Sequence, residues 1–166
     1  MSNHDSICRQ PALAERLRLG VATLTVAIGL WLSSGAFGAT TTEDVSFGNN
    51  PGNLRMFKFV PDGLAAGRPL VVALHGCTQT ASSYDDETGW TALAERLGFA
   101  LLLPQQRQGL PGGIFATGNN AAGCFNWFLP GDISRDQGEA LSIKQMIDAM
   151  KADHGSDSTK VFVTGL

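Results

Sequence analysis

Basic residues are too few in this sequence to support the binding of nucleic acid. Lysine and arginine together number 12 against 15 aspartates and glutamates, which leaves a net charge of −3 over 166 residues. A nucleic-acid interface needs concentrated positive charge, and this balance offers none. Charged residues make up 16% of the chain and hydrophobic residues 43%. That composition excludes a disordered or fibrous chain and is typical of a globular domain.

The sequence also lacks the motifs that hold nucleotides and metals. Neither a G-x-G-x-x-G nor a G-K-[ST] phosphate loop is present. The three histidines, His4, His75 and His154, are scattered and show no metal-ligand spacing. We therefore expect no metal and no other cofactor. Internal repeats and low-complexity tracts are absent as well, and the length allows one domain at most.

Charge is missing altogether from residues 19–42, a stretch that follows three arginines within the first 18 residues. Its apolar centre, residues 21–32, is followed by the small residues SSGAFGA. This order predicts a secretory signal peptide over residues 1–38, cleaved after Ala36 or Gly38. An uncleaved membrane anchor is the alternative, because the uncharged run is long enough to span a bilayer. The small residues favour cleavage, so we expect a secreted protein, extracellular or periplasmic, without stable membrane association.

Only two cysteines remain after such a cleavage, Cys77 and Cys124. An exported chain with two cysteines is expected to form one disulfide, because exported proteins meet an oxidising environment. Two buried free thiols are the alternative. A bridge between these positions would contribute on the order of 4 kcal/mol in the chain-entropy model.

The remaining chain alternates between short apolar runs and amphipathic stretches. Residues 39–53 are polar and turn-rich, and we expect a lead-in linker there. The long stretch 105–137 carries no predicted element, and its aromatic cluster and cysteine indicate a functional, anchored loop. This alternation predicts a parallel α/β sheet. The predicted strands are 54–60, 70–74, 99–103 and 160–164, and the predicted helices are 87–97 and 138–154.

Two predicted strands end in sequences that suit ester hydrolysis. The first, LVVALHGC, runs into His75 and Gly76, the position at which α/β-hydrolases supply an N–H to the oxyanion hole. The second, KVFVTGL, ends in Gly165 and Leu166, which match the first half of the G-x-S-x-G nucleophile elbow. Each half-motif is weak alone. Together they match the order expected of an α/β-hydrolase, in which ligands lie at the carboxyl ends of the strands, and other exported α/β proteins are an equal alternative on this pattern alone.

Three longer segments carry a family resemblance. HGCTQ, CFNWF and GEA occur in this order between about Arg55 and Leu166, and the sequence there resembles secreted poly(3-hydroxybutyrate) depolymerases and related esterases. The resemblance implies an α/β-hydrolase fold, of which residues 54–166 form the N-terminal part. The sheet is then mostly parallel, flanked by helices and incomplete.

The resemblance also implies a division of roles. A Ser-Asp-His triad would lie beyond Leu166, so we expect the chain as given to be inert. The backbone N–H of Cys77 would be an oxyanion donor, held rigid by a Cys77–Cys124 disulfide. Asn126, Trp127 and Phe128 are candidates for the substrate cleft, with core packing as the alternative for the two aromatic residues.

Three other residues are expected to be structural. We interpret His75 as part of the turn, because the family's base follows its serine. Trp90 occupies a helical core position. Glu139 lies at the start of a helix, where negative charge is favourable.

The expected substrate is an ester, most consistent with a short-chain hydroxyalkanoate polyester. Feruloyl or acetyl esters on plant polysaccharide are the alternative within the same chemistry. A non-catalytic exported product is the alternative of another class. An uncovered sheet edge argues against it, because such an edge promotes aggregation. The sequence predicts no oligomeric state.

Overall fold

Five strands form one sheet in the order β1-β2-β4-β3-β5. The computed structural model describes residues 38–107 and 120–165, and these belong to one compact unit. The strands are β1 (Thr42–Asp44), β2 (Arg55–Phe59), β3 (Leu70–Leu74), β4 (Ala100–Gln105) and β5 (Val161–Gly165). The helices are α1 (Ala81–Thr88), α2 (Trp90–Leu97), α3 (Pro130–Ile133) and α4 (Gly138–His154).

The sheet is mixed. Strand β3 pairs in parallel with both β4 and β5, as the alternation of strands and helices predicts. Strand β2 pairs antiparallel with β4, and β1 pairs antiparallel with β2. The expectation of a parallel sheet is therefore correct for three strands and wrong for the two at the N-terminal edge. No helix separates β2 from β3, so β2 has no crossover that would make it parallel.

The lead-in segment contains a strand that the sequence analysis missed. Strand β1 is secured by two ion pairs, one between Glu43 and Arg55 at 2.6 Å and one between Asp44 and Lys58 at 2.7 Å. The three residues of β1 are all polar, so no alternation with apolar residues marks them as a strand. The predicted signal peptide lies outside the described residues, apart from Gly38. Within the described ranges no helix is long and apolar enough to cross a membrane.

Strand β4 is the buried centre of the sheet, and all six of its residues are buried. The sequence analysis ends this strand at Leu103 because proline follows, but β4 continues through Pro104 to Gln105. Pro104 pairs with Met56 of β2, whereas the pairing with β3 stops at Leu102. At Pro104, β4 therefore has a paired neighbour on one side only. A strand tolerates proline, which has no N–H to donate, at such a position.

The helix predicted over residues 87–97 corresponds to α2, whereas α1, which precedes it, is not predicted by the sequence analysis. Thr80 begins α1 with a capping box, in which its side chain and that of Ser83 exchange hydrogen bonds with each other's main-chain N–H. Gly89, in the left-handed conformation, ends α1 and precedes α2. Gly98 ends α2 as predicted. Leu97 is not the core residue its spacing suggests, since 56% of it is exposed.

Helix α4 has the predicted bounds, but its buried face is shifted. The spacing of Ile143, Ile147 and Met150 predicts the buried stripe. Met150 is fully buried, whereas the two isoleucines are half-buried at the edge of the core. The residues buried on this helix are Glu139, Ser142, Met146 and Met150.

Two apolar clusters pack between the sheet and the helices, one on each face of the sheet. One joins Met146 and Met150 of α4 to alternate residues of β2, β3 and β4. The other joins α1 and α2 to the opposite face of the same strands, where Trp90 packs at its edge as expected of a core position. Both faces of the central strands are thereby covered, which explains their continuous apolar sequence.

Gly52 marks the tightest contact between the lead-in and α4. Its N–H donates to the Ser142 hydroxyl at 2.8 Å. A Cβ at this position would lie 2.5 Å from the Cα of Glu139. Only a residue without a side chain fits against that backbone.

We expect Gly52→Ala to lower the free energy of unfolding by about 2–3 kcal/mol, because the clash is with backbone and cannot be relieved by a rotamer change. Gly131→Ala is the matched control, because a Cβ there meets nothing within 4 Å. Urea unfolding measures both. Equal stability of the two variants would show that the contact between Gly52 and α4 is not as tight as described.

Candidate active site

The two strands that carry the hydrolase half-motifs are neighbours. Leu74, the last residue of β3, pairs with Gly165, the last residue of β5. A Cβ on Gly165 would lie 2.9 Å from the carbonyl oxygen of Leu74. A glycine therefore lets β5 approach the strand beside it. The chain leaving β5 and the turn leaving β3 begin side by side at the same edge of the sheet. Leu166 itself lies outside the described residues.

The turn after β3 is fixed by hydrogen bonds within residues 75–79. Gly76 N–H donates to the side-chain oxygen of Gln79 at 2.7 Å, and Gln79 N–H donates back to Gly76 O at 3.3 Å. Thr78 has a positive φ of 65°, which is unfavourable for a β-branched residue. Its N–H donates to Ala122 O at 2.8 Å. The turn is thus held in a conformation that the isolated segment would not favour.

Cys77 lies between these two anchored residues and is exposed. The main-chain N–H groups of Gly76 and Thr78 both have acceptors. For the Cys77 N–H, no acceptor is found among the residues that the structure describes. An exposed N–H on a fixed turn at the end of a strand can donate to a ligand oxygen.

The predicted disulfide joins Cys77 and Cys124, with their Cα atoms 4.1 Å apart. The alternative of two buried free thiols is therefore wrong. The bond closes a loop with a sequence separation of 47 residues. It connects the turn after β3 to the segment that follows the undescribed residues 108–119.

His75 is buried, with 2% of its surface exposed. Its Nε2 accepts a hydrogen bond from Gln106 N–H at 3.0 Å, so the proton is on Nδ1, which donates to Gly76 O at 2.7 Å. Burial lowers the pKa of the imidazole, which keeps it neutral. The ring also stacks at 4.9 Å on Phe125. Both nitrogens are engaged, as expected of a structural residue rather than a catalytic base.

The segment 124–126 is held on both sides by buried side chains. Gln106 donates through Nε2 to Cys124 O at 2.9 Å, and Glu139 accepts from Asn126 N–H at 2.8 Å. The two side chains also contact each other, because Gln106 Nε2 donates to Glu139 Oε1. The Asn126 amide donates to Asp132 at 3.0 Å. Asn126 is buried and anchors this loop through both its main chain and its side chain.

Glu139 is buried, with 4% of its surface exposed. A favourable interaction with the helix dipole therefore does not by itself account for its position. Burial is the main cause that raises the pKa of its carboxyl above the ordinary 4.5. The hydrogen bonds from Asn126 and Gln106 act in the opposite direction, and the negative charge of Asp132 adds to the increase. Such a carboxylate is retained at a cost in free energy.

Trp127 and Phe128 are exposed, at 73% and 52%. Their rings meet edge to face with centroids 5.4 Å apart. Within the described ranges they are not core residues. Trp127 borders an almost wholly apolar hollow of about 200 Å³, which lies between α4 and the end of β3 at Leu74 and is also lined by Ile133. Trp127 is thus placed near the end of β3.

Sequence reasoning missed three contributors to this arrangement: Gln106, Phe125 and the carboxylate of Glu139. Phe125 and Glu139 lie within the CFNWF and GEA segments, but nothing in those segments shows that their side chains meet here, and Gln106 has no motif or periodic neighbour that would single it out. The short helix α3 within the long loop was missed as well, although Pro130 at its first position is a start signal. The described residues contain no group of three or more side chains that could hold a metal ion.

A family model described as esterase PHB depolymerase matches residues 54–166. The chain belongs to this family. It is 57% identical over 125 residues to poly(3-hydroxyalkanoate) depolymerase C of Paucimonas lemoignei, an alignment that covers 75% of this chain and 28% of the depolymerase. It is 33% identical to feruloyl esterase B of Neurospora crassa, over 92% of this chain and 46% of the esterase.

Solved structures of esterases share the fold of this family member. Acetyl xylan esterase from Aspergillus awamori superposes with a TM-score of 0.63 at 31% identity, over 76% of this chain and 42% of the esterase. A bacterial heroin esterase superposes with a TM-score of 0.50 at 22% identity, over 77% and 35%. The predicted α/β-hydrolase fold is confirmed. The chain spans less than half the length of each of these relatives.

The raised pKa of Glu139 predicts a dependence of stability on pH. An acid whose pKa is higher in the folded state contributes stability that is complete below its ordinary pKa and is lost as the pH rises through the raised value. Urea unfolding between about pH 4 and pH 7 should therefore show the protein losing stability relative to Glu139→Gln. Glu95→Gln, on the exposed face of α2, should follow the unmodified protein. Parallel curves for all three would refute the pKa shift.

Proposed function

We propose that this chain is the N-terminal part of a secreted serine ester hydrolase that cleaves short-chain hydroxyalkanoate polyesters. The observation that carries the proposal is the pairing of Leu74 with Gly165, which brings the turn at Cys77 beside the strand that leads toward a nucleophile elbow. The nucleophile and its acid–base partners would be supplied by residues that follow Leu166 in the complete protein.

In the proposed reaction, a serine hydroxyl passes its proton to the histidine as its oxygen attacks the acyl carbon of the ester, and the carbonyl oxygen becomes negatively charged. The Cys77 N–H would donate to this oxyanion, where one donor contributes about 3–4 kcal/mol to lowering the barrier. The alcohol would leave with a proton from the histidine, and water would then release the acid from the acyl-enzyme. A donor on a fixed turn needs no reorganisation as the charge develops.

The substrate class is proposed from similarity and from exposed aromatic surface. The 57% identity to the depolymerase of P. lemoignei exceeds the 28–34% identity to feruloyl and acetylxylan esterases. Trp127 and Phe128 would offer apolar contact to a polyester chain, with Asn126 fixing the loop beneath them. Esters of plant polysaccharides are the second candidate, supported by the relatives that bear those names.

Export is proposed from two features that agree. The N-terminal pattern of arginines, an apolar run and small residues is that of a signal peptide. The Cys77–Cys124 bond is typical of proteins that fold in an oxidising compartment. The proposed partner is the ester or polyester substrate.

Turnover of matched substrates tests the proposed specificity. We expect the complete protein to release hydroxybutyrate from oligomers and to clear the polymer, with slower turnover of feruloyl and acetyl-xylan esters. Faster turnover of a feruloyl or acetyl-xylan ester would assign the protein to the second candidate. Failure to hydrolyse any of these esters, by protein shown to be folded and oxidised, would contradict an esterase function and favour a non-catalytic product.

The oxyanion role of Cys77 has a test that separates its N–H from its disulfide. Cys77→Ser with Cys124→Ser removes only the bridge, whereas Cys77→Pro with Cys124→Ser also removes the N–H. We expect kcat of the proline variant to fall about 10²–10³-fold below that of the serine variant, with KM little changed. Equal kcat values for the two variants would exclude the Cys77 N–H as a donor.

A further inference from the structure

The segment between Cys124 and Asn126 is held at both ends by one buried pair of side chains. Gln106 contacts the carbonyl oxygen of Cys124 at 2.9 Å, and Glu139 contacts the N–H of Asn126 at 2.8 Å. Gln106 is 1% and Glu139 4% exposed. Neither side chain is needed to complete a helix or strand, so their burial requires another explanation.

The position of Glu139 calls for a carboxylate rather than an amide. Both of its hydrogen-bond partners, the Gln106 amide and the Asn126 N–H, are donors. A carboxylate accepts with both oxygens, whereas a glutamine would direct its NH₂ at one of these donors. A buried carboxylate costs free energy compared with an apolar side chain. We therefore attribute the carboxylate at position 139 to the way it fixes its two hydrogen-bond donors.

The same pair reaches the turn that carries Cys77 by two routes. Gln106 donates through its main-chain N–H to His75 Nε2 at 3.0 Å, and His75 precedes Cys77 by two residues. The second route is covalent, through the bond between Cys124 and Cys77. A shift of the Gln106 and Glu139 side chains would move Cys124 and, through the disulfide, the turn, whereas the contact with His75 depends on the main chain of Gln106.

We propose that Glu139 is a positioning residue: with Gln106 it fixes the main chain of residues 124–126, and through the Cys77–Cys124 bond it sets the direction of the Cys77 N–H. The effect on catalysis rests on the proposed function, since it assumes that this N–H stabilises an ester oxyanion. The placement of the disulfide does not rest on it. The two parts can be measured separately.

The main test uses Glu139→Gln in the complete, oxidised protein, with Glu95→Gln as the matched control on an exposed helix face. The first readout is the rate at which dithiothreitol reduces the Cys77–Cys124 bond in the folded protein. The second is kcat and KM for p-nitrophenyl butyrate, a small soluble ester. A displacement of about 1 Å at a reacting centre lowers the rate as much as 10²-fold.

We expect Glu139→Gln to speed reduction several-fold and to lower kcat by up to about 10²-fold with little change in KM. Glu95→Gln should change neither. The opposite result is a Glu139→Gln variant whose melting temperature falls while its reduction rate and kcat equal those of Glu95→Gln. Glu139 would then have a merely structural role, and the proposal would be overturned.

Two further results remain informative. If Glu139→Gln does not fold, Gln106→Met tests the same contact from its other end, and an unchanged reduction rate and kcat there would overturn the proposal. If the unmodified protein hydrolyses no ester, the proposed function fails while the reduction rate still decides the positioning. Faster reduction in Glu139→Gln would then support it, and an unchanged rate would overturn it.

Discussion

The contact between the Gln106 amide and the Glu139 carboxylate is the interaction on which the rest of this site depends. Gln106 follows the central strand β4, and Glu139 begins α4, so the contact ties the sheet to the helix that covers it. Between them the two side chains hold Cys124 and Asn126. The main chain of Gln106 also holds His75. This buried polar cluster thus holds the turn that carries Cys77, the disulfide, and the loop that carries Trp127 and Phe128.

The elements with strong local signals could be predicted from the sequence. Strand β3 is a continuous apolar run bounded by Pro69 and His75, and α4 ends at Gly155, so both were predicted with their observed bounds. The direction of β2 could not be predicted, because pairing with β4 is decided by residues more than forty positions away. Helix α1 is missed because Ser83, rather than a glutamate or glutamine, completes the capping box at its start.

The sequence predicts which strand ends form the candidate site, but it does not predict the buried side chains that hold them in place. His75 and Gly76 follow the apolar run of β3, and Gly165 ends the apolar run of β5, which is a pattern that the sequence displays. The prediction that the second run is a buried strand is wrong within the described residues, because Phe162 and Val163 are exposed. The register that sets Leu74 against Gly165 is a property of the sheet and is not visible locally. Gln106 and Glu139 look like ordinary polar residues in the sequence, because nothing local reveals that they meet. The fold is shared with esterases that are named for different substrates, so the fold by itself does not identify the ester.

The disulfide also has a consequence for the order of events during oxidative folding. In the folded chain, the crossover formed by β3, α1, α2 and β4 brings the Cα atoms of Cys77 and Cys124 within 4.1 Å of each other. Assembly of this part of the sheet therefore places the two thiols where the bond can form. Within the described residues these are the two cysteines, so this part of the chain has one pairing to make and no wrong pairing to reshuffle.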